Sequence, residues 1–154
     1  MGAAFSVNVT IYLDNCCLNR PYDDQTAARV RLEAEAVELI LNGVVESRVS
    51  LLWSDTLDTE SEQNPFEERR TGIARWKNSA SAIIRDAPSI REQARSLALD
   101  GFKPLDALHV ASAVAGGASH FLTVDDGILN KRDRVREIII ASPLEFVQSF
   151  GGYL

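Results

Sequence analysis

The sequence is poor in the residues that most often carry redox chemistry or zinc. Its only cysteines, Cys16 and Cys17, are adjacent, which does not suit an ordinary disulfide and leaves no framework of spaced cysteines. Its only histidines, His109 and His120, are too few for a histidine-rich zinc site. These shortages favour a reducing, cytoplasmic setting and argue against zinc chemistry.

Long apolar runs and several familiar loops are missing as well. No stretch approaches the ~20 apolar residues that cross a bilayer, and the N-terminus lacks the basic start and apolar run of a signal peptide. We therefore expect no membrane partner. Glycine-rich phosphate loops, nucleotide-binding glycine fingerprints and nucleophile elbows are also absent, which argues against the enzyme classes built on them.

The chain has fewer basic than acidic residues. The chain has 16 Lys and Arg against 22 Asp and Glu, a net charge of -6, so it does not hold nucleic acid by a broad basic surface and any such binding must be local. Basic residues gather at 68–77 and 130–136. We interpret both segments as solvated helix and loop surface, with a local contact patch as the alternative.

The remaining composition is that of an ordinary globular protein. With 154 residues, 45% of them hydrophobic and 25% charged, the chain is long enough to bury a core without disulfides or a structural metal. No linker or repeat divides it. We expect one domain over residues 1–154.

The apolar pattern predicts strands separated by helices. Strands are predicted at 7–13, 48–53, 119–124 and 137–141. Helices are predicted at 25–43 with Gly43 as the stop, from Ser54 to before Asn64 and Pro65, at 66–84, 87–101 and 104–117, and after the cap Ser142. Continuous apolar strands between helices indicate an α/β protein of three α/β/α layers around a mostly parallel sheet.

Acidic residues recur where such a sheet places its ligand sites, outside the carboxyl ends of the strands near the point where strand order reverses. Asp14 follows the first strand and Asp125 follows the strand at 119–124. Asp106 lies in the first turn of the helix that starts at Pro104, where the helix dipole stabilises negative charge. We expect these three carboxylates to share one rim.

The helix after Ser54 offers four acidic residues as a fourth member. At about 100° per residue, Glu60 lies about 60° from the apolar Leu57, whereas Asp58 lies about 100° away and Glu62 about 140°. Asp55 suits the first helical turn. Glu60 is therefore the best-placed fourth carboxylate.

Four carboxylates in one cleft repel one another by roughly several kcal/mol per close pair before screening. A hard divalent cation, Mg²⁺ or Mn²⁺, would offset that repulsion and takes oxygen ligands. Such a site suits phosphodiester hydrolysis. Asp126, next to Asp125, would either assist the cation or open the next turn. Each aspartate alone is typical of a cap or turn, and their convergence favours a function.

The four acidic residues lie in the segments "IYLDNCCLNRP" with Asp14, "LLWSDTLDTESEQNP" with Glu60, "PLDALHVASA" with Asp106 and "FLTVDD" with Asp125. Together these segments resemble the PIN domain, the fold of metal-dependent ribonucleases that includes the VapC-type toxins of toxin-antitoxin pairs. The resemblance implies that these four residues ligate one or two Mg²⁺ or Mn²⁺ ions. It also implies an RNA substrate, and it makes an antitoxin protein and a second copy of the chain candidate partners.

Four further residues receive auxiliary roles from the same resemblance. Thr123 would brace the site through its hydroxyl, and Asp126 would be an auxiliary ligand at best. His109 lies on the same helical face as Asp106 and either orients the site or packs as an ordinary helix histidine. Asn15 and Cys16 stand where the family usually has a small hydroxyl residue followed by a polar one, although Asn15 can still hydrogen-bond a phosphate or water.

Three functions remain open from the sequence. The first is a metal-dependent endoribonuclease, of which a toxin would be one case. The second is a binding module with the same fold and a weak or silent metal site, acting through protein or RNA partners. The third is a metal-dependent phosphatase or another small α/β hydrolase.

Overall fold

The computed structural model of the protein describes residues 9–154. Its strands are β1 (Val9–Leu13), β2 (Val49–Ser54), β3 (Ala82–Ile84), β4 (His120–Leu122) and β5 (Ile139–Ala141). Its α-helices are α1 (Asn15–Asn19), α2 (Ala28–Val45), α3 (Asp55–Glu62), α4 (Glu67–Ala74), α5 (Pro88–Leu99), α6 (Pro104–Ala115), α7 (Asp126–Leu129) and α8 (Pro143–Phe150). The first predicted strand, 7–13, is therefore seen from Val9 onwards, and residues 7 and 8 lie outside the described part.

The five strands form one sheet in the order β3-β2-β1-β4-β5, and every neighbouring pair is parallel. The chain moves from β1 to one side of the sheet and later crosses to β4 on the other side. Strand order therefore reverses between β1 and β4, where Leu13 pairs with Leu122. The crevice beyond these two residues is the expected ligand position of such a sheet.

Helices cover both faces of this sheet. Ile11, Tyr12 and Leu13 of β1 are completely buried, which explains why the strand shows a continuous apolar run and no alternation. Helix α2 packs against α8, and α5 packs against α6. Right-handed crossovers in opposite directions along the sheet place α2 and α6 on opposite faces. The predicted three-layer α/β/α class is confirmed, with the sheet wholly parallel over the described residues.

Most of the predicted helix ends are confirmed. The Ser54 hydroxyl caps α3 by accepting the Leu57 N–H at 3.0 Å, which satisfies a backbone donor that the helix leaves free. Helix α8 begins with a capping box formed by Ser142 and Glu145. Helix α5 ends before Gly101, whose φ of 102° lies in the region that favours glycine.

The predicted helix over 66–84 is wrong in its second half. Helix α4 ends at Ala74, a 3₁₀ turn covers Arg75–Ser79, and the chain then forms β3 at the edge of the sheet. β3 pairs with β2 through Ile83 and Trp53, and the Ser81 N–H donates to the Leu51 carbonyl at 2.8 Å. Pairing with a distant strand outweighs the local pattern of this short segment.

The predicted stop of α2 at Gly43 is also wrong, since the helix continues to Val45. Arg48 N–H donates to the Gly43 carbonyl at 2.8 Å and Ser47 N–H to the Val44 carbonyl at 3.0 Å, which is a Schellman ending with Ser47 at φ 60°. A Cβ at Gly43 would lie 2.7 Å from Cδ2 of Leu154. The glycine thus permits a close approach of the C-terminus.

The basic segments at 68–77 and 130–136 hold loops in place. Arg69 pairs with Asp23 at 2.9 Å and Lys77 with Asp58 at 2.7 Å, while Lys131 donates to the Gly101 carbonyl at 2.8 Å. These partners agree with the interpretation of both segments as protein surface. Between residues 9 and 154, none of the helices combines the length and apolar character that crossing a membrane requires.

Candidate metal centre

Asp14 lies at the reversal point of the sheet, directly after β1. Its backbone N–H donates to the Leu122 carbonyl at 2.9 Å, which fixes it against β4. Its side chain is buried, 5% exposed, and Oδ2 accepts hydrogen bonds from Thr123 Oγ1 at 2.8 Å and Cys16 Sγ at 3.3 Å. Both donors use Oδ2, which leaves the Oδ1 lone pairs for another partner.

Burial is the main cause of the raised pKa of Asp14, opposed by the nearby His109 and by the hydrogen bonds from Thr123 and Cys16. A buried carboxylate without a full positive charge beside it is costly. A cation at Oδ1 would relieve that cost. Thr123 also accepts the Asp125 backbone N–H at 3.1 Å, so its hydroxyl links the Asp14 carboxylate to the backbone that follows β4.

Helix α1 begins immediately after Asp14 and carries the two residues that depart from the family pattern. Asn15 is half-buried, and its side-chain Oδ1 is buried without a hydrogen-bond partner among the described residues. Cys16 Sγ donates to Asp14 Oδ2 at 3.3 Å. Cys17 is completely buried and donates to the Leu122 carbonyl at 3.3 Å.

Glu60 reaches the same crevice from α3. Leu57 points into the core at 1% exposure, and Glu60, three residues later, follows it on the inner side of the helix. The other inner candidates are used elsewhere: Asp58 accepts from Trp53 Nε1 at 2.7 Å and Asp55 from Arg85 at 3.0 Å. Glu60 Oε1 lies 3.3 Å from Nε2 of His109.

His109 is almost completely buried on α6, at 1% exposure. Its Nδ1 lies 2.6 Å from the Tyr12 hydroxyl, which lies 2.6 Å from Ser54 Oγ. The ring is therefore held between the middle of the sheet and Glu60. Of the two roles left open from the sequence, this geometry agrees with a histidine that orients the site.

Asp106 and Asp125 complete the acidic rim. Asp106 is half-buried one turn before His109, and its pKa is raised first by burial and then by the negative charges of Asp14 and Asp125. Asp125 caps α7 by accepting the Gly127 N–H at 2.7 Å. The sheet and α6 thus bring the three carboxylates close enough for their charges to interact.

Asp126 faces away from this rim. Its two oxygens accept from Arg29 Nη1 at 3.0 Å and Nη2 at 2.8 Å, and its side chain is 62% exposed. The hydrogen bond from Arg29 lowers the pKa of Asp126. Asp126 opens the next helical turn and ties α7 to α2, the second of the two roles weighed from the sequence.

The geometry fits a divalent cation. One ligand atom from each of Asp14, Glu60 and His109 lies within 4.8 Å of the other two. Asp106 and Asp125 lie outside this group, although the charges of Asp14 and Asp125 help to raise the pKa of Asp106. Carboxylate oxygens are ligands that suit Mg²⁺ or Mn²⁺. The residues that meet here come from three segments that lie far apart in the sequence, namely the end of β1, α3 and α6.

Two residues of the site escaped the sequence analysis. Ser54 was read only as a helix cap, and Tyr12 only as part of a strand. A signal for Tyr12 was present, because a tyrosine inside a buried apolar strand must find a hydrogen-bond partner for its hydroxyl. The identity of that partner depends on β2 and α6, which no local pattern specifies.

A comparison with solved structures identifies a protein of similar fold. No protein-family model matches the chain, and no curated protein matches it. Among solved structures, a chain of VapBC2 from Rickettsia felis, crystallised with a DNA fragment from its promoter, superposes with a TM-score of 0.54 at 12% identity. The match covers 87% of this chain and 98% of that chain. It confirms the PIN-like fold that the motifs predicted.

Proposed function

We propose that this chain is a metal-dependent ribonuclease, a single domain that hydrolyses RNA phosphodiester bonds at Asp14, Glu60, Asp106 and Asp125. The observation that carries the proposal is that carboxylate oxygens of Asp14 and Glu60 lie within 4.8 Å of each other at the reversal point of a parallel sheet. The PIN-like fold and the four matching motifs support the same activity.

The acidic residues and Thr123 have separate roles in the proposed reaction. Asp14 and Glu60 would hold Mg²⁺ or Mn²⁺ from β1 and α3, and Asp106 and Asp125 would hold it from α6 and the end of β4. The cation supplies Lewis acidity, since it lowers the pKa of an attacking water and neutralises charge on the scissile phosphate. Thr123 keeps the Asp14 carboxylate oriented by donating to Oδ2.

An RNA substrate is compatible with the acidic body of the protein. Asp106 and Asp125 are half-buried and not enclosed. They are therefore accessible to a phosphodiester in the interior of an RNA strand. Asn15 directly follows Asp14 and is half-buried, and its side-chain N–H would donate to a phosphate or to a water. By likeness to the VapC-type toxins, we also propose a cytoplasmic setting, an antitoxin protein as partner and pairing with a second copy.

Asparagine substitutions test the proposal directly. Asp14→Asn and Asp106→Asn should each lower Mn²⁺-dependent cleavage of a fluorescent single-stranded RNA by roughly a hundredfold or more, because each removes charge that holds the cation. Both variants should stay folded, since burial raises the pKa of each carboxyl and a neutral amide is easier to bury.

Asp24→Asn, on the exposed surface, provides the matched control and should cleave at the wild-type rate. Circular dichroism of all three variants checks that the fold is retained. Wild-type cleavage by both Asp14→Asn and Asp106→Asn would contradict the proposal. Hydrolysis of small phosphate esters in preference to RNA would instead favour the phosphatase alternative.

Thermal denaturation separates the nuclease from a silent binding module. A cation that binds only the folded state at a hundred times its Kd should add about 2.7 kcal/mol to the free energy of unfolding, which corresponds to a rise in Tm of about 5 to 10 °C. Asp14→Asn should abolish most of that rise. An unchanged Tm for the wild type in millimolar Mn²⁺ would favour the binding module.

A further inference from the structure

A line of buried hydrogen bonds runs from the start of α3 through the middle of the sheet to the metal centre. The Tyr12 hydroxyl lies 2.6 Å from both Ser54 Oγ and His109 Nδ1, and His109 Nε2 lies 3.3 Å from Glu60 Oε1. Tyr12 and Ser54 are completely buried and His109 is 1% exposed. Each proton on this line must therefore be donated to another protein atom.

The hydrogen bond that caps α3 determines which atom donates in each of the other hydrogen bonds. Ser54 Oγ accepts the Leu57 N–H at 3.0 Å, and among the described residues its other partner is the Tyr12 oxygen. The Ser54 proton must therefore go to Tyr12. Tyr12 then donates its own proton to Nδ1 of His109, and the ring carries its proton on Nε2, where the Glu60 carboxylate accepts it.

The opposite arrangement of the protons is unfavourable for two reasons. If Nδ1 donated to Tyr12 and Tyr12 donated to Ser54, the buried Ser54 proton would lack an acceptor, which is unfavourable. The Nε2 lone pair would then face Glu60 Oε1 at 3.3 Å, and two acceptors would repel each other. Only a cation between them would make that arrangement acceptable, and His109 would then be a ligand.

We propose that Tyr12 and Ser54 set the tautomer of His109, so that His109 is a positioning residue that donates to Glu60 and is not itself a ligand of the cation. The inference rests on the proposed function only in taking Glu60 as a ligand. Donation to Oε1 fixes the carboxylate and leaves its other oxygen for the cation, as partners of ligating carboxylates do in metal sites.

The surrounding rings keep this geometry fixed. Tyr12 stacks on Phe121 of β4, with ring centroids 5.4 Å apart and planes inclined by 14°. It meets the His109 ring edge-on at 5.8 Å. Neither ring can turn without disturbing the core, so α6 and the sheet hold the donor to Glu60 before any cation binds.

The tautomer can be read by long-range ¹H–¹⁵N NMR of the metal-free protein above neutral pH. We expect His109 to be protonated on Nε2 and free on Nδ1, and to remain so after saturation with Mg²⁺. His120, the only other histidine, is the internal comparison and should not change. A proton on Nδ1 in the metal-free protein, or loss of the Nε2 proton on adding Mg²⁺, would overturn the assignment.

Variants test the source of the constraint. Tyr12→Phe removes the donor to Nδ1 and should raise the share of the other tautomer and weaken Mg²⁺ binding about tenfold by calorimetry. His109→Gln, which retains an N–H for Glu60, should bind Mg²⁺ more tightly than His109→Ala. Tyr22→Phe, at a surface tyrosine, is the matched control. A wild-type tautomer and affinity in Tyr12→Phe would refute the role of Tyr12.

The two proposals fail in distinguishable ways. If the protein does not cleave RNA, the tautomer of His109 in the metal-free state still decides this inference. If instead the Nδ1 tautomer is found while Asp14→Asn still abolishes cleavage, the nuclease assignment stands and only the role of His109 is wrong.

Discussion

At the scale of residues, neighbouring side chains of the same type have different surroundings. Asp125 accepts the Gly127 N–H and borders Asp106, whose pKa its charge helps to raise. Asp126 points outwards and is held by both terminal nitrogens of Arg29. The two aspartates after β4 therefore differ in role: Asp125 adds negative charge to the acidic rim, and Asp126 attaches α7 to α2.

This difference predicts unequal effects of the same substitution. Asp125→Asn should weaken Mn²⁺ binding about tenfold or more, because it removes a charge from the rim, while asparagine still caps α7. Asp126→Asn should leave the affinity unchanged. Isothermal titration calorimetry of both variants provides the measurement, and equal losses of affinity would show that Asp126 belongs to the metal centre.

At the scale of elements, α3 connects the stability of the fold to the position of Glu60, a proposed metal ligand. Ser54 caps its first turn, Asp55 receives the Asp86 N–H at 2.8 Å and Arg85 at 3.0 Å, and Glu60 follows near its end. The start of the helix is anchored to β2 and to the segment after β3. The orientation of Glu60 therefore depends on contacts made at the other end of the same helix.

The anchor at Asp55 predicts a pH dependence of stability. The Asp86 N–H, then Arg85, lower the pKa of Asp55 below its ordinary value of 3.8. A carboxyl with a lowered pKa in the folded state stabilises the protein above its unfolded pKa, and this contribution is lost as the pH falls through the folded pKa. The contribution is below about 1 kcal/mol because the pair is partly exposed.

Asp55→Asn should therefore lower the midpoint of urea denaturation at pH 7 and lose that difference as the pH falls below 3.8. Glu62→Gln, on the exposed end of the same helix, is the control and should follow the wild type throughout. A difference between wild type and Asp55→Asn that stays constant with pH would contradict the assigned cause.

At the scale of the whole molecule, the proposed metal centre depends on the complete sheet. Asp14 follows β1, Glu60 lies on α3, Asp106 on α6 and Asp125 after β4, so none of these segments alone contains the centre. Helix α8 packs against β4 through Phe146. The ring centroid of Phe146 lies 5.3 Å from that of His120 in β4 and 4.8 Å from that of Phe150. Loss of this packing should destabilise β4 and the residues that follow it.

Phe146→Ala should lower the free energy of unfolding by about 3 to 5 kcal/mol, since Phe146 is 1% exposed and its removal leaves a cavity. Leu99→Ala removes an apolar side chain that is 90% exposed and should change stability by less than about 0.5 kcal/mol. Urea denaturation measures both. Similar values for the two variants would show that α8 does not stabilise the core.

The sequence alone predicted the elements whose signals are local. Ser54, Pro104 and Ser142 mark helix starts because a cap or an N-terminal proline acts within one turn. The apolar strands indicated a buried parallel sheet, and the position of acidic residues after them indicated the rim. Glu60 was selected by helical geometry, which also depends only on neighbouring residues.

The tertiary structure decided everything that depends on partners distant in sequence. β3 pairs with the edge of β2, Leu154 packs where a Cβ at Gly43 would lie, and Asp126 turns outwards to Arg29 of α2. The proton arrangement proposed for His109 likewise depends on Ser54 and Tyr12, which the sheet brings beside α6. Hydrogen bonds and close contacts act over a few ångströms in space, and a pattern read along the chain contains no such distances.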